Sequence, residues 1–235
     1  MAAFIHREGD TLATIAAEDQ TTVLDLLTVE REATLAEATR LRNQIHALLL
    51  QLDPEYKRSI PNLTSKSALA TLRSYRGTTA DAMSEERAAA VRRLTVRLEL
   101  ALQQAEDVAK RIRSIAAAHF APLTEICGVN LLTAGALAGI LGPGARFHSD
   151  AALAAYAGVA PREASSAGKI RHRLNRGGNR RLNAVLYRIV LTQAHASTDA
   201  RTYLARRQQE GKTKREAMRA LKRYVVRAVW RLWVQ

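Results

Sequence analysis

The sequence predicts an all-α protein: a long coiled-coil helical hairpin followed by a compact basic helical domain with a helix-hairpin-helix. Three observations predict it. Two long stretches, 21–52 and 84–120, lack Pro and Gly and repeat apolar residues at spacings of three and four. From Pro122 onward the apolar segments become short and are punctuated by Gly and Pro. The excess of positive over negative charge is confined to the last third of the chain. The expected divisions are a lead-in over 1–20, a coiled-coil and helical linker region over 21–120, and a basic domain over 121–235.

In the first long stretch Leu41, Ile45, Leu48 and Leu52 form one apolar seam. Asp53-Pro54 should end it, because proline lacks the ladder N–H and forces the preceding residue out of the α region. A short helix over 63–75 follows, with Gly77 as its stop. In the second stretch Val91, Leu94, Leu98, Ala101, Ala105, Val108, Ile112 and Ile115 read as a coiled-coil strand. Glu85 and Glu86 at its start and Lys110, Arg111 and Arg113 toward its end suit the helix dipole. Its mate is either the helix ending at Leu52 or a second copy of the chain, and a homo-oligomer through the coiled coil is expected.

Residues 123–141 read LTEICGVNLLTAGALAGIL, an apolar helix end, a Gly-Val-Asn turn and a second apolar helix. That is the helix-hairpin-helix pattern: Gly128 and Asn130 tolerate the turn, and the next helix N-terminus aims N–H groups at a phosphate. An ordinary helical turn in a small core reads the same way. Gly142-Pro143-Gly144 closes the unit, and a short Ala-rich helix over 149–156 ends at Gly158. Helices are expected again over 182–196 and 215–233, the latter with Met218, Leu221, Val225, Val229 and Leu232 as its apolar stripe. Lys214, Arg215, Arg219, Lys222, Arg223, Arg227 and Arg231 crowd its other faces, while Trp230 and Trp233 are expected to pack rather than stack on bases.

The chain has 235 residues, a net charge of +14 and 47% apolar residues, which excludes intrinsic disorder over most of its length. Residues 1–159 hold 17 Lys+Arg against 18 Asp+Glu, whereas residues 160–235 hold 19 against 4. A cationic segment attached to a neutral one is the footprint of a polyanion-binding surface. Nucleic acid is favoured over a membrane, since aromatic anchors are only 5% of the chain and no apolar run approaches a membrane span. The single cysteine, Cys127, excludes an intrachain disulfide and suits a reducing cytosol; it reads as a buried, inert thiol.

The most basic stretch, VAPREASSAGKIRHRLNRGGNRR over 159–181, places Ser165 and Ser166 beside Lys169, Arg171, Arg173, Arg176, Arg180 and Arg181. Clustered arginines donate bidentately to phosphate oxygens, glycines let the backbone approach, and a serine there offers a nucleophile. A flexible loop that binds nucleic acid without cutting it fits the same residues. His172 lies between arginines that disfavour its protonation and reads as a polar contact. No His/Cys/Asp/Glu cluster has metal-ligand spacing, and the basic third holds only Glu163, Asp199, Glu210 and Glu216, too dispersed for a two-metal site.

With GVNLLTAGALAGILG, FHSDAALAAYAGVAPREASSAGK and RGGNRRLN in this order, the chain resembles the C-terminal part of an insertion sequence 110/116/902-type transposase, a serine recombinase guided by a bridge RNA. PNLTSKSALATL and the long helix after Ser84 are similar to that family's coiled-coil insert. The resemblance implies DNA recombination and transposition in the bacterial cytoplasm, at the nucleoid, with a guide RNA as partner beside DNA. It aligns the family's serine nucleophile with Ser166, with Ser165 as the register alternative. Gly128, Asn130, Lys169, Arg171, Arg173, Arg176, Asn179, Arg180, Arg181, Lys222 and Arg223 are the expected DNA- or RNA-contacting residues. The family's magnesium is held by an N-terminal RuvC-like domain, and nothing in this chain matches it. Glu8, Asp10, Glu18 and Asp19 directly precede the coiled-coil region, so no cofactor is expected on this chain itself. Ala167 stands where the family usually has glycine.

Overall fold

The computed structural model describes residues 17–77, 81–143, 146–160, 162–163, 172–173, 175 and 177–233, with the backbone alone at 162–163 and 172–173. Asp19 starts the first helix by accepting from the N–H of Thr21 at 2.7 Å and of Thr22 at 3.3 Å, while Thr22 Oγ1 accepts from the Asp19 N–H. Helix α1 (Gln20–Leu52) ends at Asp53, which is extended ahead of Pro54 as the sequence requires. A 3₁₀ turn (Tyr56–Arg58) and the short α2 (Lys66–Arg73) lead to α3 (Ala82–His119), 38 residues without a break.

Helices α1 and α3 run antiparallel within the chain. Leu24 packs near Ile112, Glu37 pairs with Arg97, and Leu49 and Leu52 share a core with Ala88 and Val91. The line of closest contact on α3 is Ser84, Ala88, Val91, Thr95, Leu98, Ala101, Ala105, Ala109, Ile112 and Ala116. Leu94, Val108 and Ile115 lie beside this line rather than on it. Small side chains carry the seam because they let the two backbones approach, and Thr95 loses nothing by burial, since its hydroxyl donates to Val91 O at 2.7 Å. Tyr56, Ile60, Leu63, Leu69 and Leu72 close the distal end.

Phe120 stacks on Trp233 with ring centroids 5.4 Å apart, fixing the point where the hairpin enters the rest of the molecule. There follow a 3₁₀ helix (Ala121–Glu125), α4 (Leu131–Leu141), α5 (Asp150–Tyr156), α6 (Arg180–Ala196), α7 (Thr198–Gln209) and α8 (Lys214–Trp233). Leu137, Leu141, Leu153, Leu182, Leu186 and Ile189 are buried at their centre. Helix α4 is apolar on all sides because it is covered on all sides: Ile140 and Leu141 join this core, and Ala138 joins Leu24 and Ile112 of the hairpin. At Gly139 α4 meets α1 so closely that a Cβ would stand 2.6 Å from Asp25 N and 2.8 Å from Asp25 Cα.

Two local expectations need correction, and two elements had no forecast. The arm before Gly128 is the 3₁₀ helix, not an α-helical end; Pro122 lies in its first turn and only a few residues separate Phe120 from the turn. Cys127 is exposed, and its carbonyl accepts from Gln193 Nε2 at 2.8 Å. Helix α7 had no forecast, and it buries only Ala200, so it has no apolar stripe to read. Two residues of antiparallel pairing, Arg162 with Arg173 and Glu163 with His172, appear within the basic stretch.

Candidate nucleic-acid interface

The end of α5 and the start of α6 are clamped together by backbone and by Asn175, Asn179 and Asn183, the first donating from Nδ2 to Ala155 O at 3.4 Å. Gly158 turns the chain with φ +67°, and a Cβ on Gly178 would lie 2.3 Å from Gly158 N and Cα. Asn179 N donates to Tyr156 O at 2.7 Å, and Asn183 Nδ2 donates to Ala157 O at 2.8 Å. Asn179 also caps α6, accepting from Leu182 N at 2.9 Å, while its Nδ2 donates to Tyr156 Oη at 2.7 Å. Arg146 holds the same tyrosine ring from the other side, its guanidinium 4.7 Å from the ring centroid. The AAYAG and GGNRR words of the sequence are thus two halves of one joint, and Asn179 holds that joint together.

From this joint the chain leaves at Ala160 and returns at Asn175, and the β pairing of 162–163 with 172–173 ties the two strands of that excursion. Ser165, Ser166, Lys169, Arg171 and Arg176 lie outside the described residues, and at Arg173 the backbone pairing with Arg162 is what is seen.

Two clefts meet at the roots of the excursion, both touching Gly158 and Asn175. The first, about 420 Å³, lies between α7 and α8 and is lined by Arg207, Lys212, Arg219, Arg223 and Arg227 against the single carboxylate of Glu216. The second, about 390 Å³, is lined by Gly178, Arg180, Asn183, Tyr187 and Lys222. Neighbouring positions on α8 therefore serve different clefts: Arg223 faces the first and Lys222 the second. Lys222 was expected on an exposed cationic face, yet it is 7% exposed. Its Nζ donates to Asn183 Oδ1 at 2.7 Å and lies 5.1 Å from the Tyr187 ring centroid.

The partners of Lys222 are neutral, and burial, then the nearby Arg219, pushes its pKa down from the usual 10.5. Between the folded and unfolded values the unfolded chain binds more protons, so this group makes stability rise as pH climbs toward 10.5. Lys222→Met keeps the stem and removes the charge. It is expected to raise stability at pH 7 by about 1 kcal/mol and to remove that alkaline rise. Urea melts from pH 7 to 10 check this; a loss of stability with the rise intact would refute it.

Other predicted contact residues are placed apart from the clefts. Arg181 is spent internally: its Nε donates to Glu32 Oε2 at 2.9 Å and its Nη1 to Asp25 Oδ1 at 2.8 Å, strapping α6 to α1. Arg180 is exposed beside it. Gly128, with φ +87°, packs under Ile189 O, where a Cβ would stand at 2.9 Å, and Asn130 caps α4 by accepting from Thr133 N. Gly128 thus meets α6 about 14 Å along its axis from the Asn179 end. Sequence reasoning missed Tyr187, Asn183, Tyr203, Arg207 and Tyr224 as site residues; the one signal for the last three was the Tyr-Arg composition of RTYLARR and KRYVVR. Among the described residues no three His, Cys, Asp or Glu side chains are grouped to hold a metal, and no helix is long and apolar enough to cross a membrane.

Residues 121–205 match the family model described as Transposase IS116/IS110/IS902 family. The chain is also 28% identical to a Streptomyces coelicolor protein described as the insertion element IS110 uncharacterized 43.6 kDa protein. That alignment covers 91% of this chain and 63% of the relative, so the chain spans less than two thirds of the relative's length. The segment that builds the α5–α6 joint and the cleft walls up to Tyr203 thus lies within the residues that are similar to the IS116/IS110/IS902 transposase family.

Proposed function

We propose that this chain is the nucleic-acid-handling part of an insertion-sequence transposase, matching the C-terminal portion of its relatives, and that it contributes a serine nucleophile to DNA strand cleavage and exchange. One observation carries the reading: two clefts rich in arginine and lysine, most of their cations just beyond the family-matching residues 121–205, adjoin the roots of the segment that holds Ser165 and Ser166. DNA lies across these clefts with its phosphates on the cations, and the bridge RNA of the family engages the same basic domain. The α1–α3 hairpin acts as the coiled-coil arm through which copies associate.

The chemistry at Ser166 is a transfer at phosphorus. The Oγ–P bond forms as the bond from phosphorus to the leaving sugar oxygen breaks; the hydroxyl proton leaves Oγ and a proton reaches the leaving oxygen. Nearby guanidinium groups bear the charge that develops on the phosphoryl oxygens. The described residues do not fit a magnesium site.

The test is a covalent trap. Nicked or suicide DNA substrate is incubated with this chain and a full-length relative whose own serine is replaced, and adducts are resolved on denaturing gels. Wild-type chain is expected to carry a phosphoserine adduct that Ser166→Ala abolishes with DNA binding retained. An adduct that survives Ser166→Ala and vanishes with Ser165→Ala moves the nucleophile by one residue. Binding with no adduct under any condition overturns the catalytic half and leaves a nucleic-acid-binding chain.

A further inference from the structure

The α7–α8 cleft is more than a cationic surface, and we propose that it is a pocket for one unpaired nucleotide of a nucleic-acid strand, with Tyr203 and Tyr224 facing the base and Arg219 and Arg223 holding its phosphate. The inference rests on the nucleic-acid reading above and goes beyond it in naming a single-stranded ligand and its seat.

The pocket is concave, and its volume of about 420 Å³ lies in the range of small-ligand sites. A duplex presents phosphates along a ridge with its bases stacked inside, and it has nothing to insert into such a space. An unpaired nucleotide supplies both an anion and a flat apolar face. The two tyrosines meet edge to face, with centroids 5.2 Å apart, and Tyr224 is 51% exposed although it sits on a helix whose apolar stripe is otherwise covered. Arg227 lies 5.8 Å from the Tyr224 ring centroid and Arg206 5.5 Å from that of Tyr203. An aromatic pair extended by guanidinium planes is a stacking platform that accepts any base.

The phosphate side is marked by unmet hydrogen-bonding capacity. Arg223 Nε and Arg207 Nε are both buried without a hydrogen-bond partner, and no carboxylate among the described residues pairs with Arg223. Three other cations of the wall are partly answered: Arg207 by Glu210, Arg219 by Glu216 at 3.9 Å, and Arg227 by Asp150 at 3.0 Å. Arg223 and Lys212 are the lining cations with no ion pair among the described residues, and Arg223 with Arg219 one turn away on α8 offers two guanidinium groups to one phosphate. Val159 and Ala160 form the opposite wall, at the point where the chain departs toward Ser165 and Ser166. A nucleotide seated here anchors its strand at the root of that segment.

The experiment uses the full chain, a 12-nucleotide single-stranded DNA carrying one 5-iodouracil, and the same sequence as a duplex, with anisotropy for affinity and mass spectrometry for photo-crosslinks. The crosslink is expected on Tyr203 or Tyr224. Tyr224→Ala should weaken single-strand binding about tenfold and leave duplex binding within twofold, while Tyr224→Phe, which keeps the ring, should match the wild type. Arg223→Ala should weaken single-strand binding to a similar degree. Tyr224 is half-exposed, so these variants fold, and circular dichroism verifies it. Equal losses for both DNA forms, no loss for either, or crosslinks confined to other surfaces overturn the pocket while the broader reading stands. Failure of the wild type to bind either form overturns both.

Discussion

Alanine at position 139 is expected to destabilise the protein by about 3 kcal/mol and to lower its melting midpoint by about 6–12 °C. The added methyl would stand 2.6–2.8 Å from Leu24 C and Asp25 N and Cα. Those are main-chain atoms in the second turn of α1, and they do not rotate out of the way as a side-chain tip would. Relief requires α4 to move off α1, and α4 also joins the core around Leu137 and Leu141, so that core has to open with it. Gly211→Ala is the informative comparison, because that residue has open space around it and tests only its backbone angle of φ +84°. Thermal melts followed by circular dichroism decide the matter. A midpoint for the Gly139 variant within about 2 °C of wild type would mean that α4 and α1 are not locked as described.

The second large effect is on binding. Affinity for duplex DNA is expected to fall about 10³-fold between 50 and 200 mM salt, the loss that goes with about six phosphate contacts and the release of their counterions. Anisotropy titrations at four or five salt concentrations give the slope directly. Arg181→Ala should hardly change that slope, because its charge already faces Asp25 and Glu32, whereas Arg180→Ala should reduce it by about one contact. A slope that barely responds to salt would remove the polyanion reading, and a larger change from Arg181 than from Arg180 would contradict the internal pairing.

The hairpin was legible in the sequence because periodicity reports packing. Leu41, Ile45, Val91, Leu98 and Ile112 recur at helical spacing and are buried. Leu48 and Leu94 lie at the margin, since a seam built from alanines gives the closest line to Ala88, Ala105 and Ala109 and sends larger residues to the flanks. The Gly-Val-Asn turn was visible by composition, but what Gly128 touches was not: its constraint is the Ile189 carbonyl on a helix some sixty residues away. The same holds for charge. Nineteen cations after residue 160 mark the basic domain, yet whether a given arginine faces solvent depends on partners such as Asp25 and Glu32, which lie before residue 40. Arg181 and Lys222 therefore read like their neighbours and behave unlike them. Helix α7 was invisible for a simpler reason: its one buried residue, Ala200, leaves no period to detect.

The 38 residues of α3 run without interruption from the hairpin turn to Phe120. At 1.5 Å per residue that is a stiff rod about 57 Å long, or roughly one and a half turns of B-form duplex. Whatever takes hold of its far end is set at a fixed distance from the clefts, so a graft that adds or removes heptads in both arms would change that distance in steps of about 10 Å, turning the arm into a calibrated spacer.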